Sequence, residues 1–363
     1  MKNPEDNFTH ITNHNATKYK IIFWLVSVTL FFTFLYLIKS ILLPFVIGIM
    51  AAFFLDPAAD KLEKLGLSRN NATAAIIVGF FMLISLAAAA LVPVIYHQAI
   101  NLLDAAPEYV TQLQEHYKPI FEHFISRFGD HNIETVRQSA SNVSAPLTSF
   151  GGSLLKGILT SSSNFINLLS LLLITPVVAF YLLRDWDKIT AYIDGLLPRK
   201  HAQTIKEQMN IIHLTLAGFI RGQSLVCIIL AGFYALALSL ADMPFSVLLG
   251  IAAGLLIIIP YAGSFMATAI SLLVAWVHAA GDLNFVAIIG AIFGVGMVLE
   301  GYILTPNLVG KRVGLHPVWL IFGMMAGGAL FGFTGILIAV PVTAICGVLT
   351  RFAITQYLQS SFY

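Results

Sequence analysis

Between Arg221 and Lys311 the chain carries no Lys or Arg, and its only acids are Asp242, Asp282 and Glu300. A stretch this poor in charge belongs in a bilayer, where every backbone N–H and C=O must be satisfied inside the protein, so it must be built from helices. Yet it is interrupted by Ile259-Pro260-Tyr261-Ala262-Gly263, and beyond Lys311 the same pattern returns at Phe331-Gly332-Phe333-Thr334-Gly335. Helix breaks at membrane depth are tolerated only where protein or a water-filled cavity covers the freed groups. Composition agrees: 58% of residues are hydrophobic and only 10% charged, against roughly 25% charged in soluble domains. The expected class is an all-α integral membrane protein, a polytopic helical bundle.

Apolar runs fall at 21–38, 41–55, 72–96, 165–183, 222–241, 245–277, 285–305 and 317–350, which makes about eight hydrophobic segments. The first is too long for a signal-peptide core and lacks a small-residue cleavage site, so it reads as a retained span. Lys39-Ser40 alone separates it from the second, which predicts a hairpin. Basic residues set the orientation. Lys2, Lys18 and Lys20 precede the first span, and Lys61, Lys64 and Arg69 follow the second. Arg184, Lys188, Arg199, Lys200, Lys206 and Arg221 follow the fourth, Lys311 and Arg312 the seventh, and Arg351 the last. Cytoplasmic N- and C-termini place all of these on one side. Four regions result: membrane spans over 1–96, an extracytoplasmic amphipathic helical segment over 97–164, a span plus a cytoplasmic interfacial helix over 165–221, and a C-terminal transport core over 222–355.

In the outer segment Leu103, Ala106, Val110, Leu113, Tyr117, Ile120 and Phe124 recur at spacings of three and four, as do Ile133, Val136, Ala140, Val143 and Leu147. These are amphipathic helices, serving either as a gate or oligomer contact or simply lying on the protein's own outer face. Pro107 suits a first turn, while Pro119 should kink or end its helix. The stripe Ile205, Met209, Ile212, Leu216 and Phe219 predicts a helix in the cytoplasmic interface or one packed on other loops.

The run 245–277 has arms 245–259 and 264–277, each reaching only ~22 Å against a hydrocarbon core of ~30 Å. Pro260 removes a backbone donor and Gly263 permits a turn. The run 317–350 repeats the plan with arms 317–331 and 335–349 around the tip Gly332–Gly335, and Gly327, Gly328 and Ala329 allow close backbone packing. Each follows one ordinary span of opposite direction. The reading is two Gly/Pro-broken re-entrant hairpins in an inverted repeat, an arrangement that transporters use to frame a substrate site; two tilted full spans per run is the alternative.

Glu300, inside an apolar run, is costly at a helix centre, by about 2.5–3.5 kcal/mol on insertion scales. It either couples transport to a proton or cation, or makes a structural hydrogen bond near the interface. The pathway candidates are therefore Glu300, Pro260, Tyr261, Gly263, Gly332, Thr334 and Gly335. Asp56-Pro57, expected to cap the second span, and Arg184-Asp185 read as interface anchors, and His213, His278 and His316 as incidental. Cys227 and Cys346 read as two core residues, with no disulfide or metal site. No phosphate loop, no H-E-x-x-H and no G-x-S-x-G occurs, so an ATP-driven pump and the common hydrolases are excluded, and no cofactor is expected. No basic aromatic patch suggests nucleic acid.

The run Glu300-Gly301-Tyr302-Ile303-Leu304-Thr305-Pro306-Asn307-Leu308-Val309-Gly310-Lys311-Arg312-Val313-Gly314-Leu315-His316-Pro317 resembles the signature of the autoinducer-2 exporter family, which includes PerM-like permeases. Leu55-Asp56-Pro57, Leu183-Arg184-Asp185, Ile220-Arg221-Gly222-Gln223, Ile259 to Gly263, and Gly327 through Pro341 extend the resemblance. Arg221, Gly222, Gln223, Pro306, Gly310, Pro317 and Pro341 are its motif residues here. The resemblance implies a multi-pass transporter of the bacterial inner membrane, associated with export of a quorum-sensing furanone or with sodium/proton antiport, and a homo-oligomer. Its partners would be a small-molecule or ion substrate and the lipid bilayer. Three readings follow: an exporter of autoinducer-2 or a similar small polar molecule, a monovalent cation/proton antiporter, and a non-transporting scaffold, which would have no need for broken helices.

Overall fold

The computed structural model describes residues 22–128, 162–260, 262–279, 281–309 and 316–360. Tyr261, Gly310, Lys311, Arg312 and the stripe Ile133–Leu147 lie outside them. Every regular element among the described residues is helical, and the protein is an all-α polytopic membrane bundle. The helices are α1 (22–37), α2 (Leu42–Lys64), α3 (Arg69–Phe128), α4 (Ser162–Leu196), α5 (Ala202–Leu240), α6 (Ser246–Leu256), α7 (Ala262–His278), α8 (Leu283–Val298) and α9 (Pro317–Leu358). The segment Leu299–Val309 continues α8 as a π-helix. Five of these helical stretches are long and apolar enough to cross a membrane: α2, the Arg69–Leu102 part of α3, α5, α8 with its π-helical continuation, and α9 taken end to end across its break at Gly332.

Several helices outrun the apolar segments that predict them. α3 does not end at Pro107 or Pro119 but runs on to Phe128. Proline costs a helix one hydrogen bond, and sixty residues of otherwise continuous helix absorb that. The interfacial stripe and the fifth span are one helix, α5, of 39 residues or ~58 Å, so the boundary drawn at 221/222 falls inside a single element. α1 joins α2 through the short turn Lys39–Ile41. Nearly every residue of α1 is exposed, as suits a lipid-facing helix, and Tyr36 meets the ring of Phe331 in α9.

Two apolar clusters organise the bundle. Ala51, Ala52, Leu55 and Ala59 of α2 pack with Ile77 of α3 and Ala179 and Leu183 of α4. The larger cluster centres on α5, where Val226, Leu230, Tyr234 and Leu238 meet α6, α7, α8 and α9. The α5–α6 contact is the tightest. Ala231, Ala235 and Ser239 face Gly254, Gly250 and Ser246, with the Ser239 Oγ donating to Ser246 Oγ at 2.9 Å. Small residues every fourth position on both helices let the backbones touch, which is how helices associate in lipid without a hydrophobic drive. A Cβ at Gly250 would strike the Ala235 backbone, and one at Gly254 would strike Ala231. α6 has no N-cap side chain of its own; Gln98 of α3 accepts from the Leu248 N–H instead, at 2.8 Å.

Both hairpins are present. α6 and α7 have 11 and 17 residues, ~16 and ~25 Å, both short of a membrane core. In α9 the chain breaks at Gly332, whose φ of 62° and ψ of −139° only glycine adopts readily. Gly323 then lies against Thr343 and Gly327 against Gly335, so 317–331 and 333–358 run antiparallel. The second arm is longer than the expected 335–349, because the helix continues past Arg351 to Leu358. The two hairpins are therefore alike in plan but unequal in reach.

Candidate functional site

Three consecutive residues of α5 hold three different parts of the bundle. Arg221 donates its Nε to the Phe53 carbonyl at 2.7 Å and its Nη2 to Asp56 Oδ2 at 3.1 Å, both on α2. Gly222 lies against the Leu308 carbonyl and Val309 of the π-helical segment, where a Cβ would clash. Gln223, buried, donates its Nε2 to the Ile257 carbonyl at 2.8 Å, at the end of α6 beside the first hairpin tip.

The Arg221 contact explains Asp56-Pro57. Neither residue caps α2; both lie inside it. Pro57 has no N–H, so the Phe53 carbonyl four residues earlier loses its helical donor. A freed carbonyl at this depth needs a substitute, and Arg221 supplies it. Asp56 also pairs with Arg69 at 3.2 Å, and Arg69 further binds Asp60 and Glu63 and donates to the Leu183 carbonyl of α4. Motif fragments far apart in sequence thus form one latch across α2, α3, α4 and α5. Arg184, next along α4, pairs instead with its neighbour Asp185, as does Lys188. The Arg184 hydrogen bond, then that of Lys188, holds the Asp185 carboxyl down at about 2, so it stays charged at neutral pH.

Glu300 sits at the second position of the π-helical segment, partly buried. Pro306 gives the physical reason for the widened helix: it removes one i→i−4 bond and its ring crowds the carbonyl of Tyr302. The Ser264 hydroxyl donates to Glu300 Oε2 at 2.8 Å. Ser264 belongs to the first turn of α7, where unpaired N–H groups and the helix dipole favour an anion. Among the described residues no Lys, Arg or His forms an ion pair with Glu300. Cys227 and Tyr234 lie within electrostatic range of the carboxylate. Tyr234 stacks on Phe293 at 4.6 Å and crowds Gly296, four residues before Glu300.

The structure therefore gathers Glu300, Pro260, Gly263 and Gln223 at the first hairpin tip, and Ser264 is the partner that sequence reasoning missed. An isolated serine four residues after Pro260 carries no signal by itself; only the fold brings it to Glu300. Gly263 serves a different purpose from a turn. Its φ is ordinary, and its need is space, because a Cβ there would strike the Leu256 carbonyl. Gly332, Thr334 and Gly335 form the second tip, with Thr334 buried and Gly335 against Gly327. That hairpin joins the larger cluster through α5, and among the described residues no packing of similar extent joins it to α6 or α7. Pro317 opens α9 at its first helical position behind the capping His316, Pro341 lies within the second arm, and His278 meets Phe285. Cys227 is buried as expected, but Cys346 is exposed on the outward face of α9.

A family model described as AI-2E family transporter matches residues 25–354. Among curated proteins the chain is similar to YrrI, a candidate transport protein of Bacillus subtilis, at 28% identity over 90% of this chain and 87% of that protein. It is similar to YueF, another candidate transport protein of the same organism, at 27% identity over 90% and 88%. It is also similar to PerM, a candidate permease of Escherichia coli, at 25% identity over 86% and 88%.

Proposed function

The chain belongs to the AI-2E family of transporters, and on that premise we propose that it is a secondary exporter of a small polar organic molecule of the autoinducer-2 kind. It moves this cargo without converting it chemically. The observation that carries the reading is the Glu300–Ser264 contact, in which an acid from a π-helical segment meets the first turn of a helix too short to cross the membrane. Irregular backbone with a polar side chain at such a tip is the usual setting of a transport site. In this reading Glu300 and Ser264 offer an acceptor and a hydroxyl to the cargo, and Gln223 fixes the tip. The protein is a homo-oligomer of the bacterial inner membrane with both termini in the cytoplasm, the orientation that gathers its basic clusters on the inner side.

A second reading is sodium/proton antiport with Glu300 as the proton carrier. It is favoured by the absence, among the described residues, of a basic partner for Glu300, since an unpaired carboxylate is free to exchange a proton for a cation. Proteoliposomes separate the two. The exporter releases a labelled furanone diol at a rate indifferent to sodium, and Glu300→Gln slows it. The antiporter shows sodium-driven proton flux that Glu300→Gln abolishes. No flux of either kind from monodisperse protein would leave a scaffold and refute both.

A further inference from the structure

The two apolar clusters divide the bundle into two bodies, one of α2–α4 and one built around α5 that carries the first hairpin. Met50 and Phe53 of α2 and Leu102 of α3 meet the larger cluster across the divide, and each is only partly buried. Apolar contact of this kind is non-directional and does not fix a register. Directional contacts cross the divide at its two ends. At one end Arg221 of α5 reaches the Phe53 carbonyl and Asp56 of α2. At the other, Gln98 of α3 accepts the Leu248 N–H of α6 at 2.8 Å. α3 measures their separation. Arg69, which shares Asp56 with Arg221, is its first residue, and Gln98 lies ~43 Å further along it, more than the ~30 Å of a hydrocarbon core.

Both contacts are built to come apart. Asp56 keeps Arg69 when Arg221 leaves. Gln98 serves a helix start that has no cap of its own. The turn from α5 into α6 holds Asp242 and Phe245 in the left-handed region, at φ of 53° and 57°, where bulky residues are rare. Phe245 fills the N-cap position of α6 with a side chain that cannot accept a hydrogen bond, so the Leu248 N–H is left to a residue of the other body. All of these groups are only part-buried, and water at an opened end takes up what is freed. The contacts also bracket the first hairpin. Arg221 is two residues from Gln223, which holds the tip at Ile257 close to the Glu300–Ser264 pair, while Gln98 holds the hairpin's base.

We propose that the two contacts are the gates of the transport site, both closed in this structure and released one at a time as the hairpin body rocks against α2–α4. Release of Arg221 opens the site toward the end that bears Lys61 and Lys64, and release of Gln98 opens it toward the opposite end. Rocking of one bundle against another around a fixed site is how many transporters alternate their access. The proposal rests on the Glu300–Ser264 reading of that site and adds which residues admit cargo from each side.

The test is thiol labelling of Ser264→Cys, in a chain with Cys227→Ala and Cys346→Ala, by membrane-impermeant methanethiosulfonate ethyltrimethylammonium in right-side-out and inverted vesicles. Gln98→Leu should speed labelling from the face at the hairpin's base by about fivefold, the factor that one neutral hydrogen bond contributes. It should slow labelling from the other face, because a shift toward one open state drains the other. Gln98→Glu, which keeps an acceptor there, should restore the parent rates. Arg221→Met, made with Pro57→Ala so that α2 satisfies its own Phe53 carbonyl, should do the reverse of Gln98→Leu when compared with Pro57→Ala alone. Faster labelling from both faces, which marks general loosening, or rates within about twofold of the parent in both monodisperse variants would overturn the proposal. Labelling reads access and not flux, so the Glu300→Gln flux assay stands or falls separately.

Discussion

The link between Pro57 and Arg221 makes a prediction whose sign is specific. In the wild type the Phe53 carbonyl has Arg221 in place of the helical donor that Pro57 lacks. Arg221→Met removes a charge-assisted hydrogen bond and orphans that carbonyl, at a cost of about 1–3 kcal/mol for the unsatisfied group. The lost pairing with Asp56 adds little, about 0–1 kcal/mol, because both side chains are partly exposed (32% and 23%) and Asp56 retains Arg69. The total is about 1–4 kcal/mol. Pro57→Ala restores an N–H that can donate to the Phe53 carbonyl within α2. In that background Arg221→Met should cost only the Asp56 pairing, about 0–1 kcal/mol, so the two changes couple by about 1–3 kcal/mol. Reversible unfolding in mixed micelles, followed by circular dichroism for the four proteins of the cycle, measures this. Costs of Arg221→Met that agree within about 0.5 kcal/mol in the two backgrounds would refute the substitution of donors.

Gly250→Val should abolish folding or cost at least about 3 kcal/mol, because its Cβ meets the Ala235 backbone, while Gly232→Ala, which meets nothing, serves as a benign control; yield of monodisperse protein reads both. Gly332→Ala should cost about 1–3 kcal/mol through backbone strain alone, since no neighbouring atom lies within 4 Å of its Cβ, and thermal unfolding that matched wild type would contradict the φ of 62°. Gln223→Leu should leave the Ile257 carbonyl unsatisfied at about 1–3 kcal/mol and loosen the first tip, seen as faster cysteine labelling of Ser264→Cys in the same background.

Charge and length in the sequence determined much of this protein. The scarcity of Lys and Arg required helices, the Gly/Pro breaks located both hairpins, and arm length separated α6 and α7 from full spans, because hydrocarbon leaves the backbone no other partners. Gly327, Gly328 and Ala329 foretold close packing, and so, in retrospect, does the four-residue spacing of Ser246, Gly250 and Gly254. Tertiary structure decided what those features serve. Pro57 looked like the end of a helix and is instead the reason for Arg221. Gly263 looked like a turn and is a point of contact. Glu300 looked solitary until the fold set Ser264 beside it, 36 residues away in the chain. Periodicity and composition are local, so they report which residues leave water. The donor that meets a particular freed acceptor arrives from another helix, and only the folded bundle brings the two together.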